Sequence, residues 1–167
     1  MDSRRLILLR HGKAQPEGPK AGDFERPLTT RGRREAEQMG RYLVAAGLIP
    51  DLILASPATR TWSTASIVAE RCGIESARIH SEIALYLASE ATIWRQVTAC
   101  AASVACLLIC AHNPGLSQLA SRLGPTPVHR ELPTAGLATA VWTRSDWHHL
   151  QAETAERCEL HAPPRLA

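Results

Sequence analysis

Leu6-Ile7-Leu8-Leu9-Arg10-His11-Gly12 runs from four apolar residues straight into an arginine, a histidine and a glycine. A short unbroken apolar run predicts a strand buried on both faces, whose polar end opens onto a surface. A strand covered on both faces needs helices above and below it, so this stretch predicts an α/β architecture with a mostly parallel sheet. The signal recurs at Leu52-Ile53-Leu54-Ala55 and, most strongly, from Val104 to Ala111.

Helical patterns lie between these runs. Thr29 or Thr30 is placed to cap a helix in which Ala36, Met39, Gly40 and Leu43 recur at helical spacing, with Gly47 ending it before Pro50. Ser56-Pro57 reads as an N-cap followed by proline at the first helical position, opening a helix that runs to Cys72-Gly73. Further helices are expected from Ala91 to Ala102, and from Asn113-Pro114-Gly115 to near Gly124-Pro125. Ala77 to His80 is a weaker strand candidate. Gly136 to Trp142 fits a strand, with Trp147 to Ala152 pairing beside it. Lys13 to Pro27, rich in Pro, Gly and charge, reads as a long loop near the end of the first strand. The tail from His161 through Pro163-Pro164 is expected to be loosely ordered. The sum is a three-layer αβα sandwich forming one domain over residues 1–167.

Composition narrows the function classes. Nineteen basic residues against sixteen acidic ones leave a formal charge of only +3, and the one basic cluster, Arg31-Gly32-Arg33-Arg34, sits at a helix start. It reads as a solvated helix face, so nucleic acid is not an expected partner. Cys72, Cys100, Cys106, Cys110 and Cys158 are odd in number and lack CxxC spacing, which predicts reduced, buried thiols. Asp2-Ser3-Arg4-Arg5 leads into too short an apolar run for a signal peptide, and Ala101 to Ala111 is too short to span a bilayer. The expectation is a cytoplasmic protein with no membrane partner.

Arg10-His11-Gly12, Ser56 to Arg60 and His112-Asn113-Pro114-Gly115 each stand where a strand ends or a helix begins. Ligands of open α/β sheets bind at such strand ends. Arg60 falls in the first turn of its helix, where free N–H groups and the helix dipole favour an anion. Phosphoryl transfer needs an in-line nucleophile and donors around the equatorial oxygens. Neutral His11 supplies the first, and Arg10 and Arg60 supply the second as planar forks. Gly12 lets the backbone lie close to the ring and the phosphate, and His112 completes the set as a donor. Lys13 either touches phosphate or points to solvent. His80, His129, His148, His149 and His161 lack this setting and read as surface or packing residues. His148-His149 has no third ligand at a metal-binding spacing, so no metal and no cofactor is expected.

With these residues in hand, Leu9-Arg10-His11-Gly12 resembles the RHG signature of the histidine phosphatase superfamily, also called phosphoglycerate mutase-like. Arg26-Pro27-Leu28-Thr29-Thr30-Arg31-Gly32, the stretch from Pro50 to Ala58, Arg60-Thr61 with Thr64-Ala65, and His112-Asn113-Pro114-Gly115 are similar to the short SixA-type phosphohistidine phosphatases. The resemblance covers Leu6 to Leu119. It implies His11 as the phosphorylated nucleophile, Arg10, Arg60 and His112 as the phosphate pocket, and a phosphoglycerate mutase-like fold without metal. The chain has little room for the extra cap and tail segments of the mutases. The resemblance does not assign the proton donor; Glu82, after the weak strand, and Asp23, in the long loop, are the two candidate acids.

A phosphomonoester releases an alkoxide that needs a proton, whereas imidazole leaves more readily because its conjugate acid titrates at about 6.5. The leading expectation is therefore a metal-independent phosphatase acting on phosphohistidine in a partner protein. The alternatives are a phosphatase of small phosphomonoesters or nucleotides, and a non-catalytic phosphate-binding module.

Overall fold

The computed structural model describes residues 3–19, 21–143 and 146–165. The stretch that opens the sequence forms β1 (Ser3–Arg10), at the centre of a six-stranded sheet. Alternation along β1 sends consecutive side chains to opposite faces. Leu6 and Leu8 join one core cluster while Ile7 and Leu9 join the other, all at 0% exposure. The strand is therefore covered on both sides, as its unbroken apolar run requires.

On one face lie α1 (Thr30–Ala45) and α2 (Thr59–Cys72), packing Met39, Leu43, Ala65, Val68 and Ala69 onto the sheet. On the other lie α3 (Glu90–Thr98) and α4 (Gly115–Arg122), contributing Ile93, Val97, Leu116 and Leu119. The remaining strands are β2 (Leu52–Ala55), β3 (Ile79–Ser81), β4 (Cys106–Ala111), β5 (Leu137–Thr143) and β6 (Arg157–His161). Their order in the sheet is β3-β2-β4-β1-β5-β6, parallel from β3 to β1 and antiparallel from β1 to β6. The result is an α/β sandwich of three layers.

The register positions the site. Arg10 pairs with Ala111, so His11 and His112 follow at the same level on adjacent parallel strands. Ala55 pairs with Cys110 on the far side of β4, which brings Ser56 to the same sheet end.

Three expectations are corrected. Ser56 does not cap α2. That helix starts at Thr59 after Ala58, which makes no side-chain cap. The Thr59 N–H instead donates to the carbonyl of Phe24 in the long loop, and the Ser56 hydroxyl is engaged by His112. The segment from Trp147 to Ala152 is not a strand but enters two 3-10 turns, Trp147–His149 and Ala152–Thr154. Trp147 is pulled fully into the core, and its indole N–H donates to the Val104 carbonyl at 2.7 Å. The strand beside β5 is β6, and His161, expected in a loose tail, closes it, pairing with Leu137 and packing its ring against Tyr42. Its charged alternation, Arg157-Cys158-Glu159-Leu160-His161, suits an exposed sheet edge.

The five cysteines are free, and burial pushes the Cys106 thiol up to about 12 and those of Cys72 and Cys100 up to about 11. Thiols held protonated in this way are inert. No described helix is long and apolar enough to cross a membrane.

Candidate active site

His11 lies just past β1, with its main chain clamped on two sides. Its N–H donates to the Ala111 carbonyl at 3.4 Å, and its carbonyl accepts from Ala135 at 2.9 Å. The residue is 8% exposed. Nδ1 lies 2.8 Å from the carbonyl of Gly12. A carbonyl only accepts, so Nδ1 carries the proton and Nε2 carries the lone pair. That lone pair faces the guanidinium of Arg60, whose Nε donates to it at 3.3 Å. Burial first, then the charges of Arg60, Arg10 and Arg26, lower the His11 pKa to about 4. The ring is neutral at pH 7.

Arg60, in the first turn of α2, is 2% exposed and holds the site together. Beyond His11, it donates to the carbonyl of Asp23, to Asp23 Oδ2 at 3.0 Å and to His112 Nδ1 at 3.2 Å. His112 is also 2% exposed, and its ring lies 5.5 Å from that of His11. Its Nε2 is 2.8 Å from Ser56 Oγ. Burial, followed by the Arg60 charge, lowers its pKa to about 3. The structure thus brings His11, Arg60 and His112 into direct contact. Arg10 lies next in sequence, with Nη1 donating to the Leu132 carbonyl at 2.9 Å. Its Nε is buried without a hydrogen-bond partner among the described residues.

Gly12 is required by packing against α1. A Cβ there would lie 2.5 Å from the carbonyl oxygen of Gly32, and a Cβ on Gly32 would lie 2.0 Å from that of Lys13. The Gly12 N–H donates to Thr64 Oγ1 at 3.0 Å, tying the loop to α2 as well. Lys13 is exposed, and its N–H donates to Glu35 Oε2 at 3.0 Å.

The two candidate acids part company. Asp23 enters the site from the long loop, where its carboxylate accepts from Tyr86 at 2.6 Å and from Arg26 and Arg60 at 3.0 Å. These donors, Tyr86 foremost, hold its carboxyl well below the usual carboxylate range. Glu82 instead accepts from the Ala84 N–H at 3.0 Å, capping a 3-10 turn. Ser56, Thr64, Tyr86 and Arg26 belong to the constellation without having been singled out for it. For Ser56 the signal was its place directly after a strand, but only the β2–β4 pairing reveals that His112 is its neighbour.

Among the described residues, no three His, Cys, Asp or Glu side chains converge as a metal centre would need. The arrangement offers a neutral, buried imidazole whose lone pair faces cationic donors. It can receive an electrophilic, anionic group such as a phosphoryl.

The profile of the histidine phosphatase superfamily (branch 1) matches residues 6–84. An uncharacterised protein of Mycobacterium leprae is 30% identical over 93% of this chain and 99% of its own length. An uncharacterised chloroplast protein of Arabidopsis thaliana is 40% identical over 47% of this chain, a match spanning 36% of that longer protein. Among solved structures, a candidate phosphohistidine phosphatase SixA from Nakamurella multipartitia superposes with a TM-score of 0.82 at 24% identity, over 98% of both chains. The protein histidine phosphatase SixA in complex with tungstate superposes with a TM-score of 0.79 at 23% identity, over 95% of this chain and 97% of that one.

Proposed function

Because the chain belongs to the histidine phosphatase superfamily, we propose that it is a phosphatase in which His11 Nε2 attacks phosphorus and carries the phosphoryl group until water removes it, and that its substrate is phosphohistidine in a partner protein. The observation that carries the first half is the bond from His11 Nδ1–H to the Gly12 carbonyl. It leaves the Nε2 lone pair in the pocket, beside Arg60, with no proton to lose before attack. Arg60 and Arg10 then neutralise the phosphoryl oxygens, the term that dominates such catalysis.

The second half rests on the leaving group. An alkoxide must be protonated as it departs, and the carboxyl that reaches this site, Asp23, is held ionised by Tyr86, Arg26 and Arg60. Glu82 is engaged by the Ala84 N–H. Imidazole, whose conjugate acid titrates at about 6.5, departs with far less help. The connection from β3 to α3 runs only over residues 82–89, which leaves little chain to roof the pocket. So short a connection suits a side chain projecting from another protein. The likeness to SixA structures, one of them holding tungstate, is in keeping with an oxyanion pocket of this kind.

The test is phosphate release from a phosphohistidine-bearing protein and from an aryl phosphate, for wild type and His11→Ala, with a chelator present throughout. Preference for the phosphohistidine protein, abolished in the variant, is the expected result. Preference for the ester would replace this reading with a phosphatase of small phosphomonoesters, and binding of phosphate without turnover of either would replace it with a binding module. Activity that needs metal would overturn the metal-independent mechanism.

A further inference from the structure

Ser56 has no place in the reaction as described, yet it is fully buried, with its hydroxyl 2.8 Å from His112 Nε2. The opposite ring nitrogen, Nδ1, lies 3.2 Å from Arg60 Nη2. A guanidinium only donates, so Nδ1 must hold a lone pair and Nε2 must hold the proton, which it donates to Ser56 Oγ. The Ala58 N–H approaches the same oxygen at 3.4 Å, helping to hold it as an acceptor. The tautomer of His112 is therefore set from both ends: its Nδ1 lone pair accepts from Arg60, on a ring 5.5 Å from that of His11, and becomes available to a water when Arg60 turns to the phosphoryl oxygens.

We propose that Ser56 is a positioning residue that makes His112 Nδ1 the proton acceptor for the water that hydrolyses phosphorylated His11. The proposal rests on the reading of His11 as phosphoryl carrier. In this step a lone pair of the water oxygen forms the new bond to phosphorus. The bond from phosphorus to His11 Nε2 breaks, and its electron pair returns to that nitrogen. One water proton passes to His112 Nδ1, while the Nε2 proton stays on that nitrogen, hydrogen-bonded to Ser56 Oγ. The proton on Nδ1 then leaves with the departing phosphate or passes to bulk water.

This division of labour parallels the acyl-transfer triads, in which a third residue fixes the tautomer of a catalytic histidine. Serine differs from the aspartate of those triads because it cannot neutralise an imidazolium. Stabilisation of the charged ring falls instead to the phosphoryl oxygens, whose negative charge offsets Arg60 and Arg10. Without that group the ring resists protonation, as its burial beside Arg60 dictates. His112 is thus activated as a base only when the intermediate is present.

The experiment compares wild type, Ser56→Ala and Ser56→Thr by two readouts. Nitrogen NMR of the His112 ring reports which nitrogen is protonated, and rapid quench with a labelled aryl phosphate separates formation of the phosphoenzyme from its hydrolysis. In wild type the proton resides on Nε2. In Ser56→Ala the two tautomers mix and hydrolysis slows by roughly 10- to 100-fold, so the phosphoenzyme accumulates while its formation stays within about twofold. Ser56→Thr restores both readouts. A Ser56→Ala enzyme with the wild-type tautomer, or with both steps slowed equally, would overturn the proposal while leaving the His11 reading intact. Wild type that never labels on His11 would overturn the parent reading and this one with it.

Discussion

Arg60 Nε donates to His11 Nε2 across 3.3 Å, so the guanidinium proposed to grip a phosphate rests on the nitrogen proposed to attack it. The contact covers the lone pair. In the proposed reaction it opens as phosphorus arrives, and the same guanidinium turns to the phosphoryl oxygens. Arg60 also reaches Asp23 and His112, so one residue sets the spacing of the whole constellation.

That geometry requires a fork. Arg60→Lys keeps the charge but cannot serve His11, Asp23 and His112 together. We expect kcat/KM to fall by roughly 100- to 1,000-fold, nearly as far as in Arg60→Ala. Steady-state kinetics on one substrate decide it, and a lysine variant within tenfold of wild type would contradict the shared-donor role.

The lowered pKa of His11 sets an acid limb. The attacking form is neutral, so kcat/KM should hold as pH falls past the ordinary histidine value of 6.5 and decline only near pH 4. A profile in the free enzyme that already halves at pH 6.5 would mean that burial and the arginines do not act on His11 as described.

The same shifts couple folding to pH. His11 and His112 are neutral when folded, whereas the unfolded chain binds their protons from about pH 6.5 downward. Stability from this source is full above about 6.5 and is lost as pH falls through the window down to about 4 for His11 and about 3 for His112. Melting temperature plotted against pH should slope across that window, and His11→Gln should flatten part of the slope.

Asp23, held ionised, is proposed here to anchor Arg60 rather than to supply a proton. Asp23→Asn should lower turnover through a loosened Arg60 without changing the shape of the pH profile of kcat/KM. A wild-type alkaline limb that vanishes in the variant would instead identify Asp23 as an acid. Tyr86→Phe, which removes one donor to the carboxylate, should cost on the order of 1 kcal/mol of stability.

Gly12→Ala would drive a methyl to 2.5 Å from the Gly32 carbonyl. Overpacking of this kind costs about 1–3 kcal/mol, or roughly 2–10 °C in a chain of this size. Calorimetry would detect it, and an unchanged melting temperature would show that β1 and α1 can separate at no cost.

Much of this was legible in the residues. The unbroken apolar runs of β1 and β4 gave a sheet covered on both faces, because strands without a polar side cannot face water. His11, Arg60 and His112 stood out because each sits at a strand end or helix start, where an anion finds free N–H groups. Ser56 was misread as a helix cap, since Ser-Pro before a helix is locally a sound cap signal. Trp147 was misread within a strand, since pairing beside β5 is locally as reasonable as insertion into the core.

The sequence by itself determined the alternation of buried strands and amphipathic helices, and the identity of the groups able to hold and attack a phosphoryl. These follow from side-chain polarity and local spacing, which are written along the chain. Only the tertiary structure decided that β2 and β1 flank β4, and hence that Ser56, His112 and His11 meet at one end of the sheet. It alone decided which nitrogen of each histidine bears the proton, and that Asp23 is committed to Arg60 and Tyr86. Apart from the bond between His11 Nδ1 and the adjacent Gly12, these contacts join partners 37 to 63 residues apart in the chain, whose positions no local pattern encodes.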